Sequence, residues 1–539
     1  MRGREIIVVL VWKSAVAIEH PSILFIQADD LGIGDVGAYN SFRADDTPNI
    51  DGLARRGLLL ANYRVMSPVC SPSRAAFMVG MEASVAGFPN IAECDPTQTE
   101  IYVDPRGVRR HVSNDVVERL NETWTGMAHV LKRAGYYNAH LGKWHVGCSN
   151  LPSPAAYGWD LVRACNADME SLEWTGYGAE TWFRWMWEDK HAMNEAMVAD
   201  AANIFEHQSP FFVSINPLLP HAPLNPRREH MEAVGPKECD LNRFWADGFK
   251  WTMSSTQRFL EDPNNDYRIT ELCVERVYRG SVYSFDAMVG DLLAVLDSRQ
   301  LTDRTFIIVT SDNGPEIAIP GRHFTRTGRW SQVGSADKFR GFKRSLYEGG
   351  VRVPCVISWS PLDKRIAADT VLGIDWIPTF AVVAGVADFW NERRDEERQV
   401  GRPLRGLATS ADPSRDVLFW EWAYQMAGSC HVKAPRFAAL DRDSGLKFLG
   451  DFGPDSDGSS RAVLRRAELF NISSDPFEKR DLLQEPQVPT VWIASTVVLA
   501  RLLDDWVRTL LPVTRGREQL LHNACPRARI YRGGGGGGE

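Results

Sequence analysis

The feature that most constrains the fold is a set of short, continuous apolar runs, each ending abruptly in a polar, glycine-rich or proline-rich turn. Such runs occur at 23–26, 211–215 and 305–309. Strands buried on both faces of a sheet have this pattern, whereas strands with one solvent face alternate between apolar and polar residues. Helical patterns separate the runs, for example at 127–134 and 275–296. The sequence therefore predicts an α/β fold with a large, mostly parallel sheet flanked by helices.

The chain is predicted to divide into four segments. Residues 1–20 form a signal peptide or an apolar leader strand, because two arginines precede a short apolar run and an Ala-Val-Ala sequence. Residues 21–400 form the α/β domain. Residues 401–514 form a smaller C-terminal α+β domain, with strand-like pieces at 417–422, 446–449 and 468–470 and a last helix at about 491–511. Residues 515–539, which include six consecutive glycines, are predicted to be a disordered tail.

Composition excludes several classes of protein. With 44% hydrophobic and 24% charged residues, the 539-residue chain is not intrinsically disordered as a whole. A formal net charge of −8 provides no electrostatic basis for binding nucleic acid. The sequence contains no run of 18 or more apolar residues, so it predicts no transmembrane helix. Two N-glycosylation sequons, at Asn121 and Asn471, are compatible with secretion.

Acidic and amide side chains follow two of the predicted strands. Asp29 and Asp30 come after the first run, and Asp312 and Asn313 come after the run at 305–309. Sites in α/β proteins form beyond the carboxyl ends of the strands. Oxygen ligands of this kind suit Ca²⁺ or Mg²⁺, so a divalent cation site is predicted, although each motif by itself is also typical of a structural turn.

Basic side chains follow two further predicted strands. Lys143 and His145 come after the segment at 137–141, and His221 follows the run at 211–215. Around a bound anion these groups would neutralise charge and transfer protons. Taken singly, each is equally consistent with packing or with a loop position.

The segment around Cys70 is the most specific part of the sequence. Ser71 and Pro72 followed by helix-forming residues predict a helix N-terminus, with Cys70 at its positive end and Arg74 one turn later. That environment favours an anionic oxygen or substrate. A reactive thiol of lowered pKa, or a structural cysteine, is the alternative.

Together these segments resemble the type I sulfatases, of the arylsulfatase and N-acetylgalactosamine-6-sulfatase kind. The matching stretches, ordered and spaced as in that family, are 23–34, 47–51, 70–80, 142–147, 220–223, 310–316 and 343–354. The resemblance implies an alkaline-phosphatase-like fold. It also implies that a formylglycine-generating enzyme converts Cys70 to Cα-formylglycine, whose hydrate is the nucleophile. The remaining eight of the nine cysteines are then an even number, which permits complete pairing.

The resemblance further implies a role for each site residue. The divalent cation, usually Ca²⁺ with Mg²⁺ as the alternative, is bound by Asp29, Asp30, Asp312, Asn313 and the oxygen on residue 70. Arg74 holds the gem-diol, and Lys143 and Lys343 neutralise the sulfate oxygens. His221, alone or with Lys343, protonates the leaving alcohol, and His145 takes the second diol proton. One departure from the family pattern is Met78-Val79-Gly80-Met81 in place of Leu-Thr-Gly-Arg, which bears on the efficiency of Cys70 conversion.

The predicted function is therefore hydrolysis of a sulfate ester, on a carbohydrate or an aryl compound, in the secretory pathway or a lysosome-like lumen. The alternatives are a phosphomonoester or phosphonate-ester hydrolase of the same superfamily and an inactive sulfated-glycan-binding protein. A tryptophan-rich stretch at 174–187 would either stack on sugar rings or pack in the core, and packing is favoured. The sequence leaves the natural substrate, the regiochemistry and the oligomeric state open.

Overall fold

The fold is described from a computed structural model of the chain. The residues it describes are 20–88, 100–103, 109–112, 119–147, 153–165, 189–222, 224–239, 267–316, 334–362, 365–397, 399–404, 417–422, 435–454, 462–485 and 497–505. The predictions for the leader, for the tryptophan-rich stretch and for the tail lie outside these residues, apart from residue 20. None of the helices in this part of the chain is long and apolar enough to cross a membrane.

Eight strands form one large sheet, and the three apolar runs are its central strands. In chain order the strands are β1 (Ser22–Ala28), β2 (Leu58–Arg64), β5 (Tyr137–Lys143), β6 (Leu161–Cys165), β7 (Phe211–Asn216), β8 (Thr305–Ser311), β9 (Cys355–Ser358) and β10 (Arg365–Leu372). Their spatial order is β10-β2-β9-β8-β1-β7-β5-β6. Every neighbouring pair is parallel except the two that involve β9. The predicted mostly parallel sheet is confirmed.

Helices cover both faces of this sheet. In chain order, the helices of this part of the chain are α1 (Pro48–Arg56), α2 (Cys70–Val79), α3 (Met127–Arg133), α4 (Lys190–His207), α5 (Arg228–Ala233), α6 (Tyr267–Ser298), α7 (Glu348–Val351), α8 (Trp376–Val383) and α9 (Ala387–Glu397). Successive residues of β1 alternate between the two resulting cores. Phe25 packs in the core that contains Trp376 of α8, whereas Leu24 packs in the core that contains Phe285 of α6. Both sides of the strand are thus apolar, which explains the unbroken run in the sequence.

The antiparallel strand β9 brings one further segment to the edge where the parallel strands end. Its first residue, Cys355, pairs with Thr310 near the end of β8. The segment that precedes β9 therefore lies beside the carboxyl ends of β8 and β1. Backbone hydrogen bonds fix it there, from Lys343 N to Pro315 O at 3.0 Å and from Arg344 N to Pro68 O at 2.9 Å.

A second, antiparallel sheet follows the large one. It contains β11 (Val417–Glu421), β12 (Phe437–Asp441), β13 (Leu446–Pro454) and β14 (Ala462–Asn471), in that order. Residues 497–505 form a helix within the predicted last helix, whose remainder lies outside the described residues. A short hairpin of β3 (Glu100–Val103) and β4 (Arg109–Val112) stands apart from both sheets. The domain boundary at 400/401 stays a prediction.

A buried charge network, defined here as Glu348, Arg64, Lys447 and Glu478, joins the two sheets. Glu348 begins α7 and is fully buried. Arg64, the last residue of β2, donates to both of its carboxylate oxygens at 2.5 to 3.0 Å. Lys447 of β13 bridges Glu348 and Glu478 at 2.9 Å each. The network therefore ties the segment that contains Lys343 to the second sheet.

The cysteines do not pair completely. Cys239 and Cys273 form a disulfide between the end of the α5 region and α6. Cys355, in β9 of the large sheet, and Cys70, at the start of α2, are buried and have free thiols. Complete pairing of the eight other cysteines, which their even number permits, is therefore excluded by Cys355.

Candidate active site

The site is built where β1 and β8 end side by side. Asp312 N donates to Ala28 O at 3.1 Å, and Asp29 N donates to Leu219 O at 2.9 Å. Asp30 has a φ of 68°, a left-handed conformation that is rare outside glycine and that turns the chain sharply after β1. These contacts place the residues that follow three neighbouring strands next to one another.

The predicted cation ligands are all buried and in mutual contact. Asp30 N donates to Asp312 Oδ1 at 3.1 Å, and Asn313 Nδ2 donates to Asp30 Oδ1 at 2.7 Å. One ligand atom from each of Asp29, Asp312 and Cys70 lies within 4.8 Å of the other two. The structure thus brings together the five residues that the sequence analysis assigned to the metal.

Cys70 is the first residue of α2 and is only 4% exposed. Arg74, one helical turn later, faces the carboxylates: its Nε and Nη2 lie 2.9 and 2.8 Å from Asp312 Oδ2. Its Nη1 donates to Asn216 Oδ1 at 2.9 Å. The predicted helix N-terminus is confirmed, and it places Cys70 and Arg74 on the same side of the site.

Two lysines and a histidine complete the cluster. Lys143, the last residue of β5, lies 2.8 Å from Asp29 Oδ2 through its Nζ. Lys343 Nζ lies 2.7 Å from Asp30 Oδ2, and His221 Nε2 lies 3.6 Å from the same oxygen. The side chain of His221 is 35% exposed, so it stands at the open side of the otherwise buried cluster.

His145 is buried two residues after Lys143, at a φ of 55°. His140 Nε2 donates to Lys143 O at 3.1 Å, and the ring packs edge-on against Trp144 and Trp159. Burial lowers the pKa of His140 to about 3, so the ring is neutral, with its proton on Nε2. His140 therefore supports the turn that carries Lys143 and His145.

The charges in the cluster perturb one another strongly. Burial by itself would raise the pKa of Asp29, but Lys143 and His221 outweigh it and hold the pKa well below its usual range. Burial also opposes ionisation of Lys143, yet Asp29 raises its pKa. Burial lowers the pKa of His221 to about 4, against the opposite effect of Asp29. The Asp29–Lys143 pair is thus ionised throughout the neutral range.

Asp312 is the exception among the carboxylates. Burial raises its pKa to about 8, despite the adjacent guanidinium of Arg74. In addition, Asp29 Oδ1 and Asn313 Oδ1 are buried oxygens that accept no hydrogen bond from the described residues. A hard divalent cation is bound by oxygen atoms, and it is favoured by carboxylates whose charge the neighbouring cations do not fully balance and by oxygens that accept no hydrogen bond. The residues therefore fit such a cation, with Asp29, Asp30, Asp312 and Asn313 as its oxygen ligands.

Two polar residues of this region carried no predicted role. Asn216 ends β7 and accepts from Arg74; the rule that sites form at strand ends would have included it. Lys190, the first residue of α4, donates to the loop that carries His221. No sequence pattern distinguishes Lys190 from a surface lysine.

Comparison with known proteins agrees with this geometry. The family model described as Sulfatase matches residues 21–386, which is more than half of the chain. This chain belongs to the sulfatase family. It is therefore an enzyme that hydrolyses sulfate esters, and the predicted function class is confirmed.

Among characterised sulfatases, the steryl-sulfatase of Mus musculus is 29% identical over 87% of this chain and 79% of its own length. The N-acetylgalactosamine-6-sulfatase of Canis lupus familiaris is 26% identical over 69% of this chain and 64% of its own length. The crystal structure of Ps i-CgsB in complex with k-i-k-neocarrahexaose aligns with a TM-score of 0.61 at 21% identity, over 90% of this chain and 92% of that one. That likeness supports the alkaline-phosphatase-like fold of the sulfatases.

Proposed function

We propose that this sulfatase acts through Cα-formylglycine at position 70 and a divalent cation, usually Ca²⁺ with Mg²⁺ as the alternative. The observation that carries the proposal is the position of Cys70. It begins a helix, is buried, and lies among Asp29, Asp312 and Arg74. Conversion to the aldehyde supplies a hydrate with one hydroxyl to attack sulfur and a second to expel sulfate afterwards. A bound divalent cation supplies positive charge for a sulfate oxygen.

The charge balance of the cluster supports the cation. Three carboxylates (Asp29, Asp30 and Asp312) face three basic side chains (Arg74, Lys143 and Lys343) within hydrogen-bonding distance. With all three carboxylates ionised, as cation binding requires, their charges balance those of the three basic side chains, and a bound divalent cation would make the cluster positive. A positive site suits an anionic sulfate ester, whose charge moves onto the bridging oxygen as the S–O bond breaks.

The remaining side chains have roles that follow from their positions. Lys143 and Lys343 neutralise the non-bridging oxygens, and Arg74 holds Asp312 and position 70 in a fixed relation. His221, at the open side, donates the proton to the leaving oxygen, and the charge of the sulfate ester raises its pKa from the low value of the unoccupied cluster. His145, on the same turn as Lys143, takes the second proton of the hydrate.

The substrate we propose is a sulfate ester of a carbohydrate or an aryl compound. The two relatives named above are, by their names, sulfatases of a steroid and of an N-acetylated sugar. Both classes are sulfate esters of a hydroxyl group on a ring-containing molecule, which fits a buried cluster that is open at His221. A phosphomonoester is the competing substrate, and no contact in the described site favours it.

Maturation in an oxidising lumen fits the same proposal. The Cys239–Cys273 disulfide is of the kind found in secreted and lumenal proteins. Asn121, the first residue of one sequon, is exposed and would be accessible to a glycan.

The test begins with the protein isolated from its native host. Mass spectrometry of the peptide that contains position 70 should show the aldehyde rather than the thiol. The same preparation should hydrolyse 4-nitrophenyl sulfate with a kcat/KM well above that for 4-nitrophenyl phosphate. Full activity with an unmodified thiol throughout would overturn the nucleophile, and preference for the phosphate ester would overturn the substrate class.

A further inference from the structure

Lys190 is an unusual residue for the place it occupies. It is the first residue of α4, and it is 1% exposed. A lysine at a helix N-terminus is disfavoured by the helix dipole, and a buried ammonium group carries a further cost of desolvation. A fully buried lysine there therefore requires specific compensation.

Part of that compensation comes from the loop after β7. Lys190 Nζ donates to Leu218 O at 2.9 Å and to His221 O at 2.6 Å. Two of its three N–H donors are thus committed to backbone carbonyls on either side of residues 219–220. The ammonium group of a lysine can donate to carbonyls that lie in different directions, whereas the planar guanidinium of an arginine would fit them less well.

The tethered loop contacts the reacting groups on its other side. Leu219 O accepts from Asp29 N, and Pro220 forms an isolated parallel bridge with Asp29. His221 Nε2 lies 3.6 Å from Asp30 Oδ2, and its Nδ1 donates to Ala222 O at 2.6 Å. The imidazole is therefore fixed by its own backbone, and Lys190 fixes that backbone.

A second contact holds the far end of the same loop. Arg227, just before α5, pairs with Asp189 and Glu195 at the beginning of α4, at 3.0 and 2.9 Å. These side chains are partly exposed, and the contact lies six residues beyond His221. It therefore offers a matched control: it tethers the loop to the same helix without touching the imidazole.

We propose that Lys190 is a positioning residue that sets His221 for proton donation to the leaving oxygen. The inference rests on the proposed role of His221. As the S–O bond breaks, its electron pair stays on the leaving oxygen, and the proton on His221 Nε2 moves to that oxygen. Lys190 does not touch substrate; it acts by holding the main chain of residues 218–221.

The dependence of rate on the leaving group distinguishes this role from simple structural support. 4-Nitrophenolate is a weak base and leaves without a proton. Phenolate and 4-methoxyphenolate are progressively stronger bases, so their departure depends progressively more on proton donation. In Lys190→Met, kcat/KM for phenyl and 4-methoxyphenyl sulfate should therefore fall by about 10²-fold, the usual contribution of a general acid, and by less than about threefold for 4-nitrophenyl sulfate. Arg227→Gln should lower all three rates equally or not at all.

Two further variants complete the experiment. In a His221→Ala background, Lys190→Met should change the leaving-group dependence no further, because both act on one proton transfer. Lys190→Gln, which keeps two N–H donors, should give a leaving-group dependence between those of the wild type and Lys190→Met. It replaces Lys190→Met in the experiment if circular dichroism shows that Lys190→Met is unfolded.

An equal loss on all three esters in both Lys190 variants, or an added effect in the His221→Ala background, would overturn the inference. Absence of turnover of both aryl sulfates and sulfated sugars by the matured wild-type protein would instead overturn the proposed function, and the inference with it.

Discussion

Replacement of Glu348 by glutamine tests how the second sheet supports the active-site segment. Glu348 is fully buried, and its carboxylate receives hydrogen bonds from Arg64 and Lys447 at 2.5 to 3.0 Å. Glutamine has nearly the same shape but no charge, so the change leaves the buried cations and removes their counter-ion. Removing one partner of a buried ion pair costs about 3–5 kcal/mol.

The structure places this variant near the lower end of that range. Lys447 keeps Glu478 as a second carboxylate partner at 2.9 Å, so Arg64 is the cation left without its bidentate acceptor. We therefore expect the free energy of unfolding to fall by about 3 kcal/mol. The control is Glu485→Gln, which removes an Arg480 pair of similar geometry, at 2.6 and 2.9 Å, from the surface. Exposed pairs contribute little, so that variant should match the wild type.

The same carboxylate predicts a dependence on pH. Burial opposes ionisation of Glu348, but Arg64 and Lys447 hold its pKa below the ordinary value of 4.5. The folded protein then binds fewer protons than the unfolded chain in this range, so the Glu348 contribution is present above about pH 4.5 and is lost as the pH falls further. Urea unfolding at pH 7 and pH 4, followed by fluorescence and by loss of activity, measures both effects. Equal midpoints for Glu348→Gln and Glu485→Gln at pH 7 would refute the reasoning.

Further predictions concern the site itself. Cys70→Ala should abolish turnover of 4-nitrophenyl sulfate while the thermal unfolding midpoint stays within a few degrees, because alanine suits a buried helix start. Arg74→Lys should lower kcat/KM by about 10²–10³-fold, since one ammonium group cannot replace the paired contacts to Asp312 and the bond to Asn216. EDTA should remove activity, and Ca²⁺ or Mg²⁺ should restore it; activity that survives exhaustive chelation would contradict the cation site.

Much of the architecture followed from local pattern. The runs at 23–26, 211–215 and 305–309 are the strands β1, β7 and β8, because double-sided burial leaves an unbroken apolar signature. The helix start at Cys70 followed from proline and serine preferences at helix N-termini. The grouping of Asp29, Asp30, Asp312 and Asn313 followed from the rule that parallel strands end at one edge.

Other features depend on contacts that no local pattern encodes. Lys190 is buried because a distant loop supplies two carbonyls, and Glu348 is buried because two distant strands supply the cations Arg64 and Lys447. The antiparallel direction of β9, which brings Lys343 to the edge, depends on pairing with β8 across more than forty residues. An even count of cysteines likewise could not show that Cys355 stays a thiol in the sheet.

The burial of Cys70 limits the time during which another enzyme can reach its thiol. With 4% of the residue exposed and Arg74 joined to Asp312, a modifying enzyme has no path to the thiol once the sheet has closed. Arg74 and Asp312 are 238 residues apart, and ribosomes add about 5–20 residues per second, so the partner strand emerges roughly 10–50 seconds after the helix. The proposed conversion of Cys70 would therefore have to take place within that interval, before the sheet closes around α2. Mutations that accelerate closure around α2 would yield more folded but fewer active molecules.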